Sequence, residues 1–277
     1  MKRIAYLLLP LAVLSCEKSI EESARLLFVQ AEELYAAGEY NDARVLIDSL
    51  SVTYPKAYRA RRDAELLRRE VLLKEKQRDV EYFAALCEEL EAKRDSVTAG
   101  FVFNKDAQYQ DMGYYTLPSQ SISLNPFNSF LRASVKENGE ACLTSFYRGA
   151  KISHKRIKVS AGDSFAESPE PFSSRSYRYL GVYNERRDYL YGSDGGIMDY
   201  IASSALPVNV ELFGDNGNYS YQLRAEDASA IARVVELSNL LKSLEQARSL
   251  RDEAQRSLDF LMKSRKYSQQ DTLNVAE

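Results

Sequence analysis

LRASVKENGEACLTSF, residues 131–146, is the stretch whose pattern decides the fold. Leu131, Ala133 and Val135 alternate with Arg132, Ser134 and Lys136. Glu137-Asn138-Gly139 then supplies turn chemistry, and the alternation resumes with Ala141, Leu143 and Ser145 beside Cys142, Thr144 and Phe146. A period of two sends one set of side chains to a core and the other outward, so the stretch predicts two strands joined by a turn. Val208, Val210 and Leu212, alternating with Asn209 and Glu211, predict another strand. Turn residues recur at Ala161-Gly162-Asp163, Ser193-Asp194-Gly195-Gly196 and Gly214-Asp215-Asn216-Gly217. Short strands with frequent turns point to an antiparallel β-sandwich or small barrel over residues 99–224.

Composition marks the same interval. Eleven of the twelve glycines lie between Gly100 and Gly217, and twelve of the nineteen tyrosines between Tyr109 and Tyr221, whereas Trp is absent. Outside the interval the chain reads as helix. Apolar residues at Ala24, Leu27, Ala31, Leu34 and Tyr35 recur at the helical period; Gly38 allows a turn, and Tyr40, Ala43, Ile47 and Leu50 resume the pattern before Pro55 stops it. The spacing from Ala31 through Leu34, Gly38, Tyr40, Ala43, Ile47 and Leu50 to Pro55 resembles one tetratricopeptide repeat, with small residues where two antiparallel helices approach closely. One repeat falls short of the three or so that a stacked, peptide-binding groove needs.

Residues 56–98 contain no Gly or Pro and are rich in Arg, Glu, Leu and Ala, which predicts a long helix. A helix of about 40 residues spans roughly 60 Å. From residue 218 to the end Gly and Pro are again absent; Leu240, Leu244, Ala247, Arg251, Ala254, Leu258 and Leu261 step by four and three, a heptad seam with one polar interruption. The simplest arrangement pairs the two long helices antiparallel, bringing Thr98 and Ala225 together with the β-rich segment inserted at the tip; self-association through the same seams is the alternative. The expected class is therefore α+β, a long antiparallel helical arm with an inserted antiparallel β-sandwich or barrel-like domain. Its divisions are a signal segment at 1–15, the helical hairpin and long helix at 16–98, the insert at 99–224, the C-terminal helix at 225–268 and a flexible tail at 269–277.

The N-terminus sets the expected location. Lys2 and Arg3 precede an apolar run from Ile4 to Leu14 that is too short to span a bilayer, and Ser15 precedes Cys16. Val13-Leu14-Ser15-Cys16 resembles the bacterial lipobox, which implies cleavage before Cys16 and a diacylglyceryl group on its sulfur. Glu17 at the next position favours the outer membrane, on its periplasmic or its cell-surface side. Loss of Lys2 and Arg3 with the signal takes the formal charge from −3 to −5. Lipid, and not charge, would then hold the chain to a membrane. The acidic balance excludes the basic footprint of a nucleic-acid binder.

Catalytic residues are scarce. His154 is the one histidine, in Ile152-Ser153-His154-Lys155-Arg156-Ile157, where flanking cations are expected to depress its basicity and a core or surface role outweighs catalysis. Asp163, Glu167 and Glu170 offer a carboxylate pair for a hydrolase, although a polar loop with Pro169 and Pro171 explains them equally well. Cys87 and Cys142 are expected to be buried free thiols. Neither a metal nor a cofactor is implied, since His154 and the cysteines lack ligand spacing and no phosphate-binding glycine pattern opens a helix. The tyrosines Tyr177, Tyr179, Tyr183, Tyr189 and Tyr191 form the candidate ligand or partner surface, with Tyr177 and Tyr179 on one strand face; Tyr200 joins the cluster in the glycan-binding reading.

Taken with Gln110-Asp111-Met112-Gly113-Tyr114-Tyr115 and Asp194-Gly195-Gly196-Ile197, nearly the whole mature chain resembles an uncharacterised Bacteroides-type lipoprotein family in which helical arms flank a β insert. The resemblance implies location and architecture and carries over no catalytic residue. The expected function is that of a non-enzymatic envelope lipoprotein holding another envelope protein. A surface glycan-binder and a carboxylate-dependent hydrolase are the alternatives.

Overall fold

The computed structural model describes residues 11–120 and 128–274, with side chains over 20–120 and 128–265. The n-region at Lys2 and Arg3 and the side chain of Cys16 lie outside the described residues. No helix among them is long and apolar enough to cross a membrane. The class is α+β, with antiparallel sheets of six and four strands and long helices on either side of them in sequence. The chain divides into two compact units, residues 1–85 with 248–277, and residues 86–247.

In the first unit α1 (Leu11–Ala36) and α2 (Tyr40–Thr53) form the expected hairpin, and α3 (Tyr58–Thr98) follows Pro55. Ala31 and Ala43 are fully buried between the helices, and Ala57, Ala60 and Ala64 pack the start of α3 against them. Small residues at this crossing let the helices approach closely, as the tetratricopeptide-like spacing predicts. Glu21 has a task the sequence hides: its Oε1 accepts the backbone N–H of Ala60 at 2.7 Å, satisfying one of the free donors at the start of α3. The C-terminal helix α5 (Ala225–Asn274) runs into the segment expected to be a tail, because Ser-Gln-Gln polarity with no Gly or Pro does not end a helix.

The second unit is a sandwich. Strands β1 (Val102–Asn104), β2 (Tyr114–Thr116), β3 (Phe130–Lys136), β4 (Ala141–Gly149), β7 (Ser173–Tyr179) and β8 (Val182–Leu190) make the larger sheet, in the order β1-β2-β3-β4-β8-β7. The smaller sheet is β10-β9-β5-β6, from β5 (His154–Ala161), β6 (Ser164–Glu167), β9 (Asn209–Gly214) and β10 (Gly217–Gln222). Leu131, Ala133, Val135 and Leu143 face Ile157, Val159, Val210 and Leu212 in one core. The alternation read from residues 131–146 and 208–212 thus marks the inward faces.

This unit extends beyond residues 99–224 at both ends. Ile231, Val234, Leu237 and Leu241 of α5 belong to the sandwich core, and Ser238 Oγ donates to the carbonyl of Gly139 at 2.6 Å in the β3–β4 turn. Another side of the same helix, at Leu244 and Ala247, packs on Cys87, with Leu86 and Leu90 beside it. Arg233 lies 5.1 Å above the Phe101 ring. Residue 87 thus meets 244 while 101 meets 233, so the helices run antiparallel here. A short helix absent from the sequence reading, α4 (Ile197–Ser203), caps the sandwich with Ile197, Met198 and Ile201. Ser193-Asp194-Gly195-Gly196 starts this helix instead of turning between strands: the fully buried Asp194 carboxylate accepts the N–H of Met198 at 2.8 Å.

Candidate functional site

The two faces of the larger sheet carry different chemistry. Inward, Ser145 Oγ lies 3.1 Å from His154 Nε2, and His154 Nδ1 lies 2.9 Å from Glu185 Oε2. This has the order of a Ser–His–acid triad, yet all three residues are 0% exposed. The carboxylate of Glu185 also accepts the backbone N–H groups of Ile152, Ser153 and His154 at 3.0, 2.7 and 2.9 Å. Ser153 sits at φ 54°, which curls three successive N–H groups into a nest around the carboxylate. Arg187 closes the cluster, donating from Nε to the His154 carbonyl at 2.6 Å.

Burial alone would raise the Glu185 pKa. Hydrogen bonds from the His154 ring and from the Ser153 and His154 backbone outweigh it and bring the value down to about 2. The His154 pKa is lowered, as the sequence reading expects, but from a different cause: burial comes first, and the acting cation is Arg187, while Lys155 and Arg156 are exposed. A neutral ring donating from Nδ1 to Glu185 and accepting the Ser145 hydroxyl at Nε2 satisfies every member. The cluster ties β4, β5 and β8 together from inside.

On the outward face the cross-strand register sets residues in rows. Arg132, Thr144, Asp188 and Ser173 form one row, and Phe130, Phe146, Arg186 and Arg175 the next. Neighbours in a row stand within side-chain reach. Asp188 accepts Thr144 Oγ1 at 2.6 Å and Arg186 Nε at 3.0 and 3.1 Å on its two oxygens. Phe130 and Phe146 pack with ring centroids 5.3 Å apart. Two adjoining cavities open here and share Arg132 and Arg186. One, of about 580 Å³, is walled by Gln110, Tyr114, Cys142 and Asp188. The other, of about 290 Å³, is walled by Phe130, Phe146, Arg175 and Tyr177. Among the described residues the Arg132 side chain has no hydrogen bond or ion pair, and burial and then the Arg186 charge lower its pKa.

The tyrosines chosen from the sequence divide. Tyr177 and Tyr179 are 55% and 59% exposed on the outward face of β7, an edge strand. Tyr183 pairs in register with Arg178, on the opposite face from Tyr177, and the Arg178 guanidinium lies 5.6 Å over its ring. Tyr189 is 1% exposed, so it belongs to the core and not to a surface: alternation along β8 turns it inward with Glu185 and Arg187, and its hydroxyl donates to the Lys155 carbonyl. Tyr191 donates to Asp199, and Tyr200 donates to the Ser164 carbonyl, so both are tied into packing. Asp163 stands in the β5–β6 turn and Glu167 ion-pairs with Arg156 at the other end of β6, four residues away. By strand rise their Cα atoms stand about 13 Å apart. Glu170 is exposed, and none of the three lines either of the two cavities on the larger sheet.

Sequence reasoning missed Arg132, Arg186, Asp188 and Glu185. The signal for the last three was the alternation Glu185-Arg186-Arg187-Asp188-Tyr189-Leu190, whose two faces both carry charge. Cys87 and Cys142 are free, Cys87 buried and Cys142 only half-buried. Burial, then the Asp188 charge, push the Cys142 thiol up to about 11. At pH 8 it is expected to alkylate with iodoacetamide about a hundredfold more slowly than an ordinary exposed thiol, since only the thiolate reacts. Mass spectrometry of timed samples checks this.

Comparison with protein-family models, curated proteins and solved structures returns no match for this chain.

Proposed function

We propose that this chain is a lipid-anchored protein of the bacterial envelope, attached through Cys16, that binds a partner through the outward face of its larger sheet and is not an enzyme. The observation that carries the reading is the contrast between the two faces. The acid–base chain Ser145–His154–Glu185 is sealed from solvent, whereas Arg132, Arg186, Phe146 and Tyr177 line open cavities. A catalytic group has to reach its substrate, and a binding surface needs exposed aromatic and cationic anchors. The lipobox-like Val13-Leu14-Ser15-Cys16 and the resemblance to Bacteroides-type lipoproteins support the anchor.

Two measurements test the reading. Radiolabelled palmitate should mark the wild-type chain, and Cys16→Ala should lose the label and leave the membrane fraction; unchanged retention would refute the anchor. Capture from solubilised envelopes should recover a reproducible partner protein that is lost with a Tyr177→Ser/Tyr179→Ser double variant. Both side chains are exposed, so the change is expected to cost under about 0.5 kcal/mol of stability. The exposure of these two rings on one strand face also favours a second reading, a glycan platform. Saturable glycan-array binding abolished by Tyr177→Ser would establish it in place of a protein partner.

A further inference from the structure

We infer that the outward cavity is a site for a ring-bearing carboxylate, its charge held by Arg132 and Arg186 and its ring set against Phe146 and Tyr177. The inference rests on the reading of this face as the binding surface and names the chemistry it takes.

Charge is the first argument. Arg132, Arg186 and Asp188 are the ionisable groups of the two central rows away from the exposed strand, and together they carry one net positive charge. Asp188 engages only Nε of Arg186, so the terminal nitrogens of Arg186 carry no hydrogen bond among the described residues. The Arg132 side chain is likewise without a partner there. A half-buried guanidinium beside a second one is costly to keep charged, as the lowered Arg132 pKa reflects. A single negative charge between the two neutralises the trio and completes their hydrogen bonds. Arg175, on the exposed strand, adds attraction at the rim.

Shape is the second argument. The cavity of about 290 Å³ is lined by Arg132, Arg175 and Arg186, by Phe130, Phe146 and Tyr177, and by Thr144, with no acidic residue among them. That volume lies at the lower end for small-molecule sites. A bare inorganic anion would leave Phe146 and Tyr177 uncovered, whereas a ring fills the space and meets their faces. Both a sugar acid and an aromatic acid have this shared chemistry.

The full-length chain in detergent is titrated by calorimetry with sodium glucuronate and sodium benzoate, with glucose and inorganic phosphate as comparators. At least one of the two acids is expected to bind saturably, with a dissociation constant on the order of 1 mM as suits so small a ligand. The stronger of the two identifies the source as sugar or aromatic. Arg132→Gln is expected to weaken binding at least about tenfold, as loss of a charged hydrogen-bond donor does, and Arg175→Gln about twofold, as at an exposed rim. Arg175 is exposed on an edge strand, so its variant reports on binding even if Arg132→Gln fails to fold. The inference is overturned if neither acid saturates, if both variants bind like the wild type, or if glucose or phosphate binds as tightly as the acids. The broader reading fails separately. Partner capture that depends on Tyr177 and Tyr179 without acid binding sinks only the carboxylate, and acid binding with capture indifferent to those tyrosines sinks only the partner surface.

Discussion

Glu185→Gln is expected to destabilise the β-rich unit by about 3–5 kcal/mol, the range for removing one member of a buried charged pair. The carboxylate accepts three successive backbone N–H groups and the His154 ring, and Arg187 Nη2 stands 3.5 Å away. An amide in its place keeps one oxygen and turns an NH2 group toward donors that need an acceptor, leaving buried N–H groups unpaired. It also removes the negative charge that offsets Arg187. Urea unfolding at pH 7, followed by far-ultraviolet circular dichroism, measures the loss; a midpoint within error of wild type would show that the cluster is dispensable.

The same cluster sets the acid response. The folded Glu185 carboxyl titrates at about 2 and the unfolded one at the ordinary value of 4.5. Its contribution is therefore complete above pH 4.5 and is lost as the pH falls toward 2, because only the unfolded chain takes up the proton in that window. The His154 pKa is lowered from 6.5 by burial, so the unfolded chain again binds a proton first and stability begins to decline below pH 6.5. Wild-type stability should fall in both intervals, and the lower fall should be smaller in Glu185→Gln, where Glu137, whose pKa is also lowered by the Gly113 N–H and Lys105, still contributes.

The parts of the fold legible in the sequence are those where one face is apolar and the other polar. Leu131, Ala133 and Val135 against Arg132, Ser134 and Lys136 disclose both strand and orientation, and Ala31 with Ala43 disclose the hairpin crossing. Strand β8 was not legible because it sets Glu185 and Arg187 inward and Arg186 and Asp188 outward, so hydrophobicity carries no period of two along it. Its inward charges become tolerable only once β5 brings the Ser153 nest and His154 to meet them, a long-range event that no local window contains. The outward site was obscured for a related reason. Its anchors come from β3, β4, β7 and β8, and their neighbourhood is created by register, not by spacing along the chain. The tyrosine cluster shows the opposite error. Aromatic enrichment singled out tyrosines of the larger sheet, but the pleat distributes Tyr177 and Tyr189 to an open face and a core, and composition cannot distinguish them.

Gly195→Ala is expected to cost about 3 kcal/mol, and Gly181→Ala only about 1 kcal/mol, although the two glycines share the left-handed backbone. Gly195 has φ +71° and Gly181 has φ +82°, so an L side chain meets the same local strain of about 1 kcal/mol at either. The difference lies in what the new methyl group would touch. At Gly181, in the β7–β8 turn, nothing lies within 4 Å; at Gly195 the Cβ would stand 2.0 Å from the Glu167 carbonyl oxygen and 3.1 Å from the Ser168 Cα. That backbone has no room to retreat. Ser168 donates its N–H to the Ile157 carbonyl at 2.8 Å and accepts the Ile157 N–H on its Oγ at 2.9 Å, which fastens the end of β6 to β5. The alternative is to move Gly195, which would pull the Asp194 carboxylate off the N–H of Met198 and loosen the start of α4 above the core. Either adjustment adds overpacking of about 1–3 kcal/mol to the strain. Equal thermal midpoints for the two alanine variants would mean that backbone strain alone sets the cost and that the join between α4 and β6 yields freely.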